Sequence, residues 1–283
     1  MKIADDFISI MERVSKEIEL PNISEILIPE SFLNNGDFKK SNFGAIKLSD
    51  GTIGLIYLSL DPNFIQYAKK TDLIKFKGMN LYDLARNFKS SEVFLKTLGL
   101  GTINAISQHI FKRSNYKFDF TTDSLGLLNL NENDCVGMVG FFPPLVGQIE
   151  RLNIPLTIIE KRESLVKKTE KWEVTLDGKR LKDCNKILIT STTILNETID
   201  EILSYCVSAE KTSIIGPTAG FFPDPLFERG VDVVGGTYVE DSNMFSDLFL
   251  QNKRWSPATK KYCIKKKDYM GYEALLKKVF PSD

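Results

Sequence analysis

The stretch CVGMVGFFPPLVGQIERLNIPLTIIE, residues 135–160, decides the fold. Cys135 to Val139 form a short apolar run closed by Gly140. Pro143 to Leu152 predict a helix, with Pro143 in the first turn, where its fixed φ and missing N–H do no harm. Leu156 to Ile159 are a second apolar run of strand length. The same alternation continues downstream. Ile187–Ile189 predict a third strand with a helix over 194–206. Ser213–Ile215 predict a fourth strand with a short helix over 225–229, and Val231–Val234 a fifth with a helix over 241–251. A small hairpin around Asp177-Gly178 is expected from 172–176 and 179–182. Buried apolar strands alternating with helices imply a parallel sheet with helices on both faces, a Rossmann-like α/β arrangement.

Upstream the pattern differs. Phe7, Ile10, Met11, Val14 and Ile18 recur at helical spacing, so residues 3–18 predict an amphipathic helix stopped by Pro21. Residues 41–48 and 52–60 are β-rich runs separated by Asp50-Gly51, a turn dipeptide. Helices are expected over 80–88, 91–98 and 102–113, with Gly99 and Gly101 marking a tight turn between the last two. Strands followed by helices make this part α+β. The polar stretch 114–131 sets the expected boundary between domains 1–115 and 116–283. A length of 283 residues suits two domains, each with its own core.

Composition excludes several classes. Hydrophobic residues make up 42% and charged residues 26%, as in an ordinary globular protein. The net charge is zero, so no whole-chain field attracts nucleic acid or an anionic membrane. From Lys253 to Lys278 nine Lys/Arg face only Asp268 and Glu273, which reads as a solvated face or as a rim for an anionic ligand. The start, Met-Lys-Ile-Ala-Asp-Asp, has no apolar h-region, and no apolar run approaches the roughly 20 residues that span a bilayer. A cytoplasmic location is expected. Cys135, Cys184, Cys206 and Cys263 are far apart in sequence, form no CxxC pair and read as free thiols.

Ligands of open parallel sheets sit beyond the carboxyl ends of the strands, where strand order reverses. The candidate site is therefore assembled from the residues just beyond each strand. Gly140-Phe141-Phe142-Pro143 and Gly220-Phe221-Phe222-Pro223 are the same tetrapeptide after the first and fourth strands. In a 3-2-1-4-5 order those strands are neighbours, and the two loops would face each other across the crevice. Phe141, Phe142, Phe221 and Phe222 would then stack on a flat ligand, or pack beneath the loops as core. Glu160 lies 20 residues beyond Gly140, where dinucleotide enzymes place a ribose-binding acid. Only Gly137 and Gly140 represent the glycine fingerprint, however. Thr190, Ser191, Thr192 and Thr193 form a hydroxyl-rich run before a helix, read as an anion cradle or as a helix cap, with Asn196 close behind. Gly216, Pro217 and Thr218 form a loop whose backbone can approach a ligand. His109 is the sole histidine, lies in a helical stretch and reads as structural. No Cys/His set has tetrahedral metal spacing, so a metal would need carboxylates or arrive already held in a complex.

At these loops the sequence resembles a known family, the putative heavy-metal chelation proteins of anaerobic bacteria and archaea. The resemblance rests on Val136–Leu145, on Ile189–Thr193 with Asn196, and most specifically on GPTAGFFPDPLFERGVDVVGGT from Gly216 to Thr237. Gly99 to Ala105 is similar to the family's Gly-x-Ala-x-x-Asn-Ala helix start, with departures at Gly101 and Thr102. The resemblance implies an enolase-N-terminal-like domain followed by a Rossmann-like domain, a cleft between them, and a link to heavy-metal or metallocofactor metabolism such as corrinoid pathways. It implies no established reaction and no agreed catalytic residues. The expectation is a small molecule, metal ion or metal complex held in the cleft, with Asn104 at a helix start capping it from above. A homo-oligomer is compatible with this reading. The alternative is a nucleotide- or S-adenosylmethionine-dependent enzyme using Glu160. A third reading is a scaffold with no ligand in the crevice.

Overall fold

The computed structural model describes residues 2–30, 33, 42–60, 63–122 and 125–279. The predicted 41–48 and 52–60 runs lie within them except Ser41. Helix α1 (Ile3–Glu17) buries Phe7, Ile10, Met11 and Val14 on one face and carries Asp5 and Asp6 in its first turn, where a helix favours negative charge. Strands β1 (Ile23–Leu27), β2 (Phe43–Leu48) and β3 (Ile53–Tyr57) form an antiparallel sheet in that order. The β2–β3 turn matches the expectation: Gly51 has φ +82° and Asp50 accepts from the Thr52 N–H at 2.9 Å.

Short helices α2 (Phe64–Lys70) and α3 (Leu81–Ala85) precede α4, which runs unbroken from Val93 to Arg113. The expected break at Gly99 and Gly101 is absent. A Cβ on Gly99 would overlap the Phe88 backbone nitrogen, and one on Gly101 would overlap the Ile56 side chain. These glycines give α4 close approach to its neighbours rather than a turn. Every residue from Thr97 to Phe111 is buried, so α4 is the central helix of the molecule.

Beyond it lie β4 (Val136–Val139), α5 (Pro143–Arg151), β5 (Leu156–Ile159), β6 (Lys167–Lys168), β7 (Trp172–Thr175), β8 (Lys186–Thr190), α6 (Thr192–Leu195), α7 (Ile199–Tyr205), β9 (Lys211–Ile215), α8 (Asp224–Phe227), β10 (Val233–Val239), α9 (Ser242–Leu250), β11 (Thr259–Lys265) and α10 (Tyr272–Val279). The eight strands make one mostly parallel sheet in the order β11-β10-β9-β8-β4-β5-β7-β6, with antiparallel strands at both edges. Alternate side chains serve opposite faces. Val136, Met138 and Leu188 join a core with Val146 and Ile149 of α5. Val139, Ile187 and Ile189 join a larger core that also holds Phe7, Ile103 and Leu275. That second core contains residues from both sides of the expected 115/116 boundary.

Three local expectations change. The hairpin pairs β6 with β7, and Gly178–Asp183 is a 3-10 turn. The single helix over 194–206 is two short helices, because Glu197 takes φ +60° between them. The expected order 3-2-1-4-5 is replaced by one in which β8 separates β4 from β9. Numbering β4, β5, β8, β9 and β10 as one to five gives 2-1-3-4-5, with the reversal between β4 and β8.

Candidate functional site

The reversal places the loops after β4, β8 and β9 side by side. Gly140 turns the chain at φ +92°, and a Cβ there would sit 3.2 Å from Thr190 Cγ2. Gly216, at φ +150°, lies so close to Ser191 that a Cβ would overlap its Oγ. Ser191 Oγ and Thr218 Oγ1 are 2.8 Å apart, and the Ser191 N–H donates to Ile215 O at 2.7 Å. The structure thus brings together Gly140, Thr190, Ser191, Gly216 and Thr218. Their accessible parts are Gly140, Thr190, Thr192, Gly216 and Pro217, beside the half-buried Phe141 and Phe142; Ser191, Thr193 and Thr218 are buried beneath.

The expectation of a cradle at a helix N-terminus does not survive. Helix α6 has four residues, and its hydroxyls are already engaged: Thr190 Oγ1 and Thr192 Oγ1 are 2.9 Å apart, and Thr193 donates to Thr190 O at 2.7 Å. Asn196 accepts from the Thr198 N–H and hydroxyl, so its side chain is spent on the turn that leads into α7. Burial alone would raise the Glu160 carboxyl, but hydrogen bonds from Arg162 and the Lys161 N–H hold it below the usual range. Its oxygens serve its own loop. Tyr57 of β3 feels both the Arg162 and Glu160 charges, while burial raises its phenol.

The two GFFP loops do not face each other, because β8 intervenes. Phe221 and Phe222 are fully buried and unavailable for stacking on a ligand. Phe221 packs 5.0 Å from Phe7, and Phe222 5.3 Å from Phe111. Asn104 is not at a helix start or on a rim. It is buried in mid α4, donating to Leu55 O at 2.8 Å and Thr218 O at 2.9 Å. Gln108 donates to Gly220 O at 2.8 Å, and Ser107 Oγ accepts from the Phe222 N–H at 3.1 Å. One polar stripe of α4 therefore clamps the 218–222 loop from behind.

Two concavities lie elsewhere. One of about 70 Å³ is lined by Gly51, Gln108, Lys112, Tyr238 and Glu240. Beside it Asp50 Oδ2 meets His109 Nδ1 at 2.8 Å. Against the cost of burial, that bond and those from Thr52 hold Asp50 far below the usual range. The other, about 530 Å³, lies at the amino end of β9 and carries Lys211, Lys265, Lys266 and Lys267 with Asp232. Part of the basic C-terminal run therefore faces a cleft.

Sequence reasoning also missed a pair of thiols. Cys135 and Cys184, read as far apart, have their Sγ atoms 3.6 Å apart. The hydrogen bond between the two thiols draws the half-buried Cys135 down to about 7, while that bond and burial push Cys184 up.

Among the described residues no group of three His, Cys, Asp or Glu is placed to hold a metal ion. The crevice offers neutral oxygens, which do not fit a bare thiophilic ion. Among the described residues no helix is long and apolar enough to cross a membrane.

The molecule is thus a mixed α/β protein with a small antiparallel sheet, a large mostly parallel sheet and hydroxyl-lined loops at its switch point. Two family models, both described as putative heavy-metal chelation, match residues 123–267 and 41–107, and the chain belongs to that family. An uncharacterized protein of Methanocaldococcus jannaschii is 25% identical over 192 residues, 65% of this chain and 71% of that one. A DUF364-family protein of unknown function from Pyrococcus horikoshii superposes with a TM-score of 0.67 at 17% identity, covering 92% of this chain and 99% of its own. One from Desulfitobacterium hafniense gives 0.65 at 18%, covering 92% and 98%. Both likenesses concern the fold.

Proposed function

We propose that this protein binds a small polar molecule or a metal already held in a chelating complex, at the loops after β4, β8 and β9. The observation that carries this reading is the convergence of Gly140, Thr190, Thr192 and Gly216 at the strand-order reversal, the place where open α/β sheets take their ligands. The loops supply close-approaching backbone and the part-exposed Thr190 and Thr192 oxygens, whose acceptor lone pairs are not used up by their mutual bond, and these suit the periphery of a complex better than a naked ion. The family description, heavy-metal chelation, supports a metal-containing ligand, and a corrinoid-type complex is one member of that class. Positioning is the contribution of these residues; no proton transfer is assigned to them.

The test is anaerobic purification followed by elemental analysis, a visible spectrum and native mass spectrometry of one sample. A near-stoichiometric metal complex, lost in Thr192→Val and in Gly140→Val, is the expected result. A metal-free chain carrying an adenosine-containing mass would instead establish the nucleotide reading with Glu160, although Arg162 already occupies that carboxylate. Full occupancy in both variants would end the crevice reading.

A further inference from the structure

We propose that Cys135 and Cys184 form a dithiol site for a thiophilic metal ion, separate from the crevice at the opposite end of the same strands. Cys135 directly precedes β4 and Cys184 lies two residues before β8, so both thiols sit at the amino ends of neighbouring parallel strands. Their backbones are locked together. The Cys135 N–H donates to Asn185 Oδ1 at 2.9 Å, and the Asn185 N–H donates to Cys135 O at 3.0 Å.

Room for the Cys184 side chain comes from Gly137, where a Cβ would press 3.3 Å from Cys184 Cβ and still closer to Leu181 and Ile187. Two metal–sulfur bonds of about 2.3 Å meeting at a tetrahedral angle span roughly 3.8 Å. The observed 3.6 Å already approximates that edge. Cys184 is buried and Cys135 is partly exposed, so an ion can enter from the Cys135 side. Thiolate sulfur selects soft ions, the class that the neutral oxygens of the crevice do not suit. Binding of a divalent ion releases one proton from each thiol and forms two metal–sulfur bonds, with no oxidant required; solvent completes the coordination.

The dithiol site does not depend on the crevice reading. The test is titration of the reduced full-length chain with Cd²⁺ under anaerobic conditions, followed by the ultraviolet thiolate-to-cadmium band and native mass spectrometry. The expected result is one Cd²⁺ per chain with the band present. The band is lost in Cys135→Ser and in Cys184→Ser, and retained in Cys206→Ser and Thr192→Val. Cys135→Ser, at a partly exposed position, keeps the test valid if Cys184→Ser fails to fold. In the unaltered chain Cd²⁺ must also slow alkylation of Cys135. No band in the unaltered chain, or an unchanged band in Cys135→Ser, would overturn the proposal.

Discussion

The two GFFP tetrapeptides permit a paired experiment, because identical local sequence meets different surroundings. Phe222 is fully buried, its ring 5.3 Å from Phe111 and 6.0 Å from Tyr272. Truncating a buried Phe to Ala costs about 3–5 kcal/mol through lost transfer energy and the cavity left behind. Each aromatic pair adds about 0.5–1.5 kcal/mol beyond area. Phe222→Ala therefore belongs at the upper end, about 4–5 kcal/mol. Phe142 is half-buried at the margin of the smaller core, where part of the ring already meets water, and Phe142→Ala should cost about 1–2 kcal/mol. Urea unfolding of both variants, followed by far-ultraviolet circular dichroism and by fluorescence of Trp172 and Trp255, measures the difference. Phe222→Ala should lower the midpoint far more than Phe142→Ala. Costs within about 1 kcal/mol of each other would refute the assignment of one loop to the core and the other to the surface.

Gly216→Ala combines a positive φ with overlap at Ser191 Oγ and should cost about 2 kcal/mol, part of it recovered in the Ser191→Gly background; a double-mutant cycle in urea reads the coupling. Asn104→Ala removes donors to two carbonyls and should destabilise by about 2–4 kcal/mol, with faster hydrogen exchange in both β3 and the 218–222 loop. Protection unchanged in the loop would contradict the clamp. Asp50 has a folded pKa depressed below the usual 3.8, so its stabilisation is present above that value and fades as pH falls below it. Asp50→Asn should thus cost about 1 kcal/mol near neutrality and progressively less in acid; a difference that grows in acid would exclude the pair with His109.

The parallel sheet was legible because its strands are covered on both faces and their apolar runs are nearly continuous, as from Leu156 to Ile159. Strand order was not. Nothing local to β4 or β9 states that β8 lies between them; the crossover back from β7 decides it. The glycines of α4 misled for a related reason. Gly99 and Gly101 carry a local preference for turns, but contact with Phe88 and Ile56 overrides it. In the candidate site Gly140, Thr190 and Gly216 were recoverable from the rule about strand ends, whereas the burial of Phe222 depends on α4 and α10 covering it. The residues TKKYCIK of β11 read as a basic face, but only Lys260 and Lys261 are exposed there, while Tyr262, Cys263 and Ile264 are buried. Asp50 with His109, and Cys135 with Cys184, are remote in sequence and meet only through tertiary packing.

Helix α1 packs Phe7 against Phe221, and Asp6 pairs with Arg229 at 2.6 Å. On the ribosome its apolar face can meet Phe88 early, the rings 6.3 Å apart in the fold, but Phe221 and Arg229 follow only more than 200 residues downstream. At roughly 5–20 residues per second that interval is on the order of ten to forty seconds. During synthesis the part of α1 that Phe221 covers stays exposed for that time, and the chain closes its main core only when its second half has emerged.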